Sequence, residues 1–271
     1  MIEYEPLIRG GVFFAVFAVM ALWEWRAPRR AAPYSRMARW PGNLGLLALN
    51  TALARALLPA TAVGLALYGE QAGWGLFNTY RVSAWVAVAG SVALLDLAIY
   101  LQHVLFHAVP LLWRLHRVHH ADLHFDATTG LRFHTVEILL SFGLKFAVIT
   151  ALGAPALAVL VFEILLSSTA IFNHANVRLP VWLDRYLRWL VVTPDMHRVH
   201  HSIHPNETNS NFGFNLPWWD RLFGTYRAQP KDGHEAMRIG VDQFRTERDL
   251  RLDQMLLQPL RGATSTAFSP D

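Results

Sequence analysis

Apolar residues in this chain gather into long runs instead of alternating with polar ones. Residues 7–25, 43–68 and 83–107 each reach the roughly 20 residues that an α-helix needs to cross a bilayer. A fourth apolar region, 136–173, is long enough for two helices of roughly 27 Å each at 1.5 Å rise per residue. Gly153-Ala154-Pro155 supplies a turn in its middle, so the pattern predicts a helical hairpin. Lys145 and Glu163 stand nine residues on either side of Ala154 and would sit at one depth. Pairing would offset two charges that are costly in lipid, while a water-lined cavity or a shallow hairpin accounts for them equally well. The expected fold is all-α: an integral-membrane bundle of about three spanning helices plus the hairpin, with a helical cap on one side.

Composition agrees with a membrane protein. Of the 271 residues, 53% are hydrophobic and 16% charged, with a mean hydropathy of +0.24. The first apolar run lacks a basic leader and a small-residue cleavage site, so it reads as a retained anchor. No cysteine is present, which excludes disulfides, thiolate metal sites and a cysteine nucleophile. The net charge of +4 comes from arginines beside apolar runs, where an anionic lipid surface explains them more simply than nucleic acid does.

Arg26, Arg29, Arg30, Arg36 and Arg39 fill the loop after the first run, whereas Arg9 is offset by Glu3 and Glu5 before it. The positive-inside rule therefore places that loop in the cytoplasm. Counting spans onward brings the end of the third run and the end of the hairpin back to the same side.

That side carries the chemistry. His-Arg-Val-His-His occurs at 116–120 and again at 197–201, and His103 and His107 precede the first copy at helical spacing. Residues three and four apart share a helix face, so each cluster can aim its imidazoles at one point. Pro110 can open a helix through the first copy, and Thr193-Pro194-Asp195 is an N-cap, a first-position proline and a first-turn acid before the second. Neutral imidazole is the commonest protein metal ligand, and one ion rarely takes more than six, so a set of this size can hold two ions. Residues 181–192 mix apolar residues with Arg185 and Arg188 as an interfacial helix does, and 230–271 reads as a peripheral tail. The expected divisions are 1–82, the N-terminal membrane helices with the basic loop; 83–227, the catalytic region; and 228–271, the tail.

With these motifs in place the chain resembles the fatty acid hydroxylase or sterol desaturase superfamily of integral-membrane, histidine-rich, non-haem di-iron enzymes. The resemblance spans roughly residues 85–227. It rests on Asp96, His103-x-x-x-His107, His116-x-x-His119-His120, FNHANVRLP at 172–180, TPDMHRVHH at 193–201 and NFGFNLPWWDRLFGTY at 211–226. It implies that His103, His107, His116, His119, His120, His197, His200 and His201 are iron ligands, with His174 the ninth. It also implies activation of O2 at two irons to hydroxylate or desaturate a lipid, such as a fatty acyl, sterol-like or ether lipid. The family includes enzymes that use a reduced pterin, and no haem or flavin domain is fused here, so electrons must come from a separate redox protein or a diffusible reductant.

Two further residues are expected behind the ligands. Asp96 lies seven residues before His103 inside an apolar span, where it can accept a hydrogen bond from a ligand's outer ring nitrogen or pair with an arginine. His134 opens the hairpin, with Glu137 placed to orient it. His124 and His204 read as solvated loop residues and His234 as exposed. Asp220 and Arg221 read as an ion pair closing the cap. The competing function is a non-catalytic or hydrolytic membrane zinc protein. A metal transporter fits less well, because its ligands would lie near the bilayer midplane.

Overall fold

The computed structural model describes residues 4–262; Glu3, which entered the charge count above, and 263–271 of the tail lie outside them. The regular secondary structure of the described chain is helical, joined by loops that carry isolated bridges of Pro28 with Val177 and Ser202 with Ile239. The long helices are α1 (Glu5–Arg26), α2 (Arg36–Leu57), α3 (Ala62–Ala72), the single turn α4 (Leu76–Thr79) and α5 (Ala84–Ala108). They continue with α6 (Pro110–His120), α7 (Thr135–Leu152) and α8 (Ala156–Asn173). Short helices follow: α9 (Val181–Leu187), α10 (Pro194–His200), α11 (Pro205–Thr208), α12 (Trp218–Leu222), α13 (Gly233–Ala236) and α14 (Leu252–Leu257).

Five segments are long and apolar enough to cross a bilayer: α1, the region Arg36–Thr79, α5, α7 and α8. The protein is therefore a multi-pass membrane protein. The second span is broken, where the sequence suggested one continuous run. Pro59 disfavours helical geometry at the residue before it, Leu58 is extended (φ −91°, ψ 130°), and Thr61 then caps α3 through its side chain. The hairpin forms as expected: α7 ends on Gly153 in the left-handed conformation (φ 65°), which only glycine adopts without cost, and α8 starts after Pro155. Lys145 Nζ meets Glu163 Oε1 at 2.6 Å, and Arg9 of α1 reaches the other carboxylate oxygen at 2.7 Å. Three helices are thus tied by one buried ion cluster.

α8 is the central helix, packed by α1, α3 and α5, while α5 also meets α6 and α7. A core of Leu95, Ile99, Val159, Leu160 and Phe162 lies between them. The end of α5, the start of α7 and the end of α8 consequently converge, and α6 and α10 cover them.

Among the described residues, the segment after 228 packs against the rest of the chain and is not peripheral. Met237 and Ile239 pack on Phe125, and Met255 packs with Leu46 and Val118. Arg117 donates to the carbonyls of Gln258 and Arg261. In α14 Met255 is the core position, with half-buried Leu252 and Leu256 packed beside it and Leu257 exposed, and composition alone concealed their partner, α2.

Candidate metal centre

Each histidine cluster is held by a local device legible in the sequence. Pro110 stands in the first turn of α6, and Thr193 Oγ1 accepts from Met196 N at the start of α10. His103 and His107 close the last turns of α5, and His174 caps α8. These elements bring all nine expected ligands together in two groups. His103, His107, His116, His120 and His200 form one; His119, His174, His197 and His201 form the other. Within each group the candidate ligand atoms lie within 4.8 Å of one another. The two copies of the pentapeptide interleave, since each contributes histidines to both groups.

The hydrogen bonds show which ring nitrogens face inward. His103 Nδ1 lies 2.8 Å from Phe212 O, His200 Nδ1 2.8 Å from Ser210 O and His174 Nδ1 2.7 Å from Ala170 O. A carbonyl only accepts, so each Nδ1 carries the proton and each Nε2 presents a lone pair. His103 Nε2 nevertheless lies 3.0 Å from His116 Nε2, whose ring is held from behind at Nδ1 by Glu137 Oε1 at 2.6 Å. His174 Nε2 lies 3.1 Å from both His119 Nε2 and His197 Nε2. His103 and His116 both have Nδ1 against an acceptor, so their Nε2 lone pairs face one another and repel unless a cation is shared, whereas His119 and His197, with no Nδ1 partner among the described residues, can each present an Nε2–H to His174. His107 Nε2 and His200 Nε2 and both ring nitrogens of His120 and His201 are buried without a hydrogen-bond partner among the described residues. Each neutral ring has one acceptor nitrogen, which is costly to leave orphaned in a protein interior and which a metal ion would satisfy. The donor set fits two ions of the imidazole-preferring kind.

Protonation does not compete near neutral pH. Burial holds His116 and His174 down at about 3. Burial first, and neighbouring imidazoles next, keep His119, His120, His197, His200 and His201 well below the ordinary value. Phe133 stacks on His119 at 4.3 Å between ring centroids, and Phe212 and Phe214 lie against His103 and His197, so the wall around the ligands is aromatic and apolar.

The residues expected behind the ligands do other work. Asp96 accepts from Asn215 Nδ2 at 2.8 Å, Leu216 N at 3.2 Å and Trp219 Nε1 at 2.9 Å. It pins the 211–226 segment to α5 and bonds neither an imidazole nor an arginine. His134 Nδ1 accepts from Val136 N as the cap of α7, and its Nε2 donates to Leu256 O at 3.3 Å. It ties the hairpin to the C-terminal segment. Glu137, assigned above to His134, instead takes His116. Its signal is a lone acid in the first turn of a mostly apolar helix.

Other polar residues brace the loops. Arg39 is fully buried and forks onto Asp122 at 2.8 and 2.7 Å while also bonding Asp126. Glu24 Oε1 accepts from Ala127 N at 2.8 Å and Asn176 N at 2.7 Å, joining the loops that follow α6 and α8. His124 is buried and lies 3.3 Å from Asn176 Nδ2, with burial lowering it to about 4; it belongs to neither metal group. His204 meets Asp232 at 2.7 Å on the surface, and His234 is buried, contrary to expectation. Asp220, raised to about 6 by burial, accepts from Phe212 N, Gly213 N and Thr225 Oγ1. Arg221 lies over Trp189 and Tyr226 instead of bonding Asp220.

Part of the chain is similar to known proteins. Ornithine lipid hydroxylase OlsE of Rhizobium tropici is 32% identical over 148 residues, 55% of this chain and 44% of the relative. Alkylglycerol monooxygenase of Xenopus tropicalis is 28% identical over 164 residues, 56% of this chain and 34% of the relative. Cholesterol 25-hydroxylase of Homo sapiens is 29% identical over 141 residues, 50% of this chain and 49% of the relative. The chain spans less than half the length of these relatives. No solved structure matches it. The fatty acid hydroxylase family model matches residues 88–225, half of the chain and all nine histidines of the two groups, and the chain belongs to that family.

Proposed function

We propose that this protein is a membrane-bound non-haem di-iron oxygenase that uses O2 to hydroxylate a lipid, with desaturation or ether cleavage as variants of the same chemistry. The observation that carries the reading is the pair of adjacent, fully buried imidazole groups, five and four strong, at one end of an apolar bundle. When bound, two irons would supply the O2 activation needed to attack an unactivated C–H bond. The protein's own residues do the remaining work. Nine neutral imidazoles hold the ions, carbonyls of Phe212, Ser210 and Ala170 fix three of their tautomers, and Phe133, Phe212 and Phe214 keep the surroundings apolar. His103 and His107 belong to a helix long and apolar enough to span the bilayer, which supports a substrate that approaches from lipid.

The arginines at 26, 29, 30, 36 and 39 support a cytoplasmic location for this end of the bundle. Electrons would then arrive from a cytoplasmic redox protein or a diffusible donor such as a reduced pterin. The names of the relatives, an ornithine lipid hydroxylase, an alkylglycerol monooxygenase and a cholesterol hydroxylase, all support a lipid substrate and leave its class open. Family membership disfavours the zinc alternative.

The test is lipid analysis of cells expressing the wild type or His119→Ala, grown under isotopically labelled O2. The reading predicts lipids that carry one labelled oxygen, or have lost two hydrogens, only with the wild type. Identical lipid profiles in an iron-replete host supplied with reductant would contradict it.

A further inference from the structure

Nine neutral imidazoles would bring no negative charge to two divalent ions bound among them. Among the described hydrogen bonds and ion pairs, one carboxylate touches a ligand imidazole: Glu137, whose Oε1 lies 2.6 Å from His116 Nδ1. The other ligand rings held from behind meet neutral oxygens, namely backbone carbonyls at His103, His174 and His200 and an amide oxygen of Asn209, 3.3 Å from His107 Nδ1. Glu137 is 3% exposed, its Oε2 has no partner among the described residues, and it sits one turn into α7. A buried carboxylate with so few partners is retained against a desolvation cost, which points to a role at the centre it faces.

We propose that Glu137 is a positioning residue of the metal centre: it holds the Nδ1–H of His116, aims Nε2 at the ion of the five-histidine group, and places a negative charge behind that ligand alone. The inference rests on the reading of these histidines as metal ligands. A charged acceptor makes an imidazole a stronger donor than a carbonyl does, so the two ions become unequal: the one bound by His116 is held more tightly and is harder to reduce. The arrangement also makes α7, the first helix of the hairpin, part of the centre, although its sequence contributes no ligand.

The test uses the full-length protein in nanodiscs, with Glu137→Gln and Glu137→Leu. Glutamine keeps an acceptor oxygen and removes the charge; leucine removes both. For Glu137→Gln we expect two irons per chain, one of two Mössbauer components changed, and a positive shift of the reduction potential of that ion. For Glu137→Leu we expect metal binding to one site weakened about 10–100-fold in competition with a chelator. Unchanged spectra and potential in Glu137→Gln would overturn the charge role, and unchanged chelator resistance in Glu137→Leu would overturn the positioning role. Chelator competition is also run with zinc. If the wild type holds zinc and rejects iron, the oxygenase reading fails, while the affinity loss in Glu137→Leu still decides the role of Glu137.

Discussion

A single methyl group at position 130 should remove one metal ion and leave the other. A Cβ on Gly130 would stand 2.4 Å from Ala170 O and 3.1 Å from His174 Nδ1. Ordinary C···O contacts are roughly 3.3–3.6 Å, so the end of α8 or the 128–131 turn must move by about 1 Å. Ala170 O is also the acceptor that fixes the tautomer of His174, and the obstacle is backbone, which cannot swing aside as a side chain can. Metal ligands tolerate deviations of about 0.2 Å, so a shift of this size decides against binding in the four-histidine group. The cost to the fold is smaller, about 1–3 kcal/mol for overpacking of this kind. Gly130→Ala should therefore stay folded in the membrane, lose metal from the group containing His174, and keep metal in the group containing His103. Metal stoichiometry by mass spectrometry of the purified protein, with circular dichroism for helix content, measures both. Two ions per chain in Gly130→Ala with undiminished chelator resistance would refute the packing argument and the assignment of His174 together.

Arg39→Met leaves Asp122 and Asp126 buried without their cation and should destabilise the protein by about 3–5 kcal/mol, read as a fall in its thermal midpoint, with Arg39→Met/Asp122→Asn/Asp126→Asn recovering part of it. His134→Ala should loosen the C-terminal segment, measured as faster hydrogen exchange or proteolysis over 250–262, while metal content stays at the wild-type level, because its ring bonds Val136 N and Leu256 O and no ligand. In the metal-free protein, His116 and His174 fall from 6.5 to about 3 on folding, so the unfolded chain binds more protons between those values. Their contribution is complete above pH 6.5 and is lost as pH falls toward 3, at about 1.4 kcal/mol per pH unit for each histidine. Unfolding midpoints recorded from pH 8 down to pH 4 should decline mainly below 6.5, and metal loading should flatten that decline.

The histidines were legible because local geometry controls them. Spacings of three and four put imidazoles on one face, and Pro110 and Thr193 announce the helices that carry them, so the clustering of eight histidines was legible from spacing, whereas His174 entered only through the family resemblance. Lys145 and Glu163, placed nine residues on either side of Ala154, do meet, which is one of the alternatives that their spacing left open. What local pattern does not carry is the choice of partner across elements. Asp96 and His103 are separated by two helical turns, which made an imidazole a natural acceptor's mate; the loop holding Asn215 and Trp219, more than a hundred residues away, claims the carboxylate instead. His134 and Glu137 lie close in sequence, yet the first caps its helix and the second reaches another helix. The break at Pro59 had a local signal in proline itself, overridden in the reading by the apolar run around it. The packing of the C-terminal segment has no local signal: the burial of Leu250 and Met255 becomes intelligible only once α2 presents Gly42 and Leu46, and Gly42 admits no side chain beside Leu250 O.

The central claim is that the two imidazole groups hold two interacting irons that react with O2. It is tested most directly by iron-57 Mössbauer spectroscopy of the protein purified without oxygen, before and after exposure to O2. The account predicts two ferrous ions per chain that convert to a spin-coupled ferric pair. One iron per chain, magnetically isolated irons, or zinc at full occupancy under iron-replete growth would contradict it.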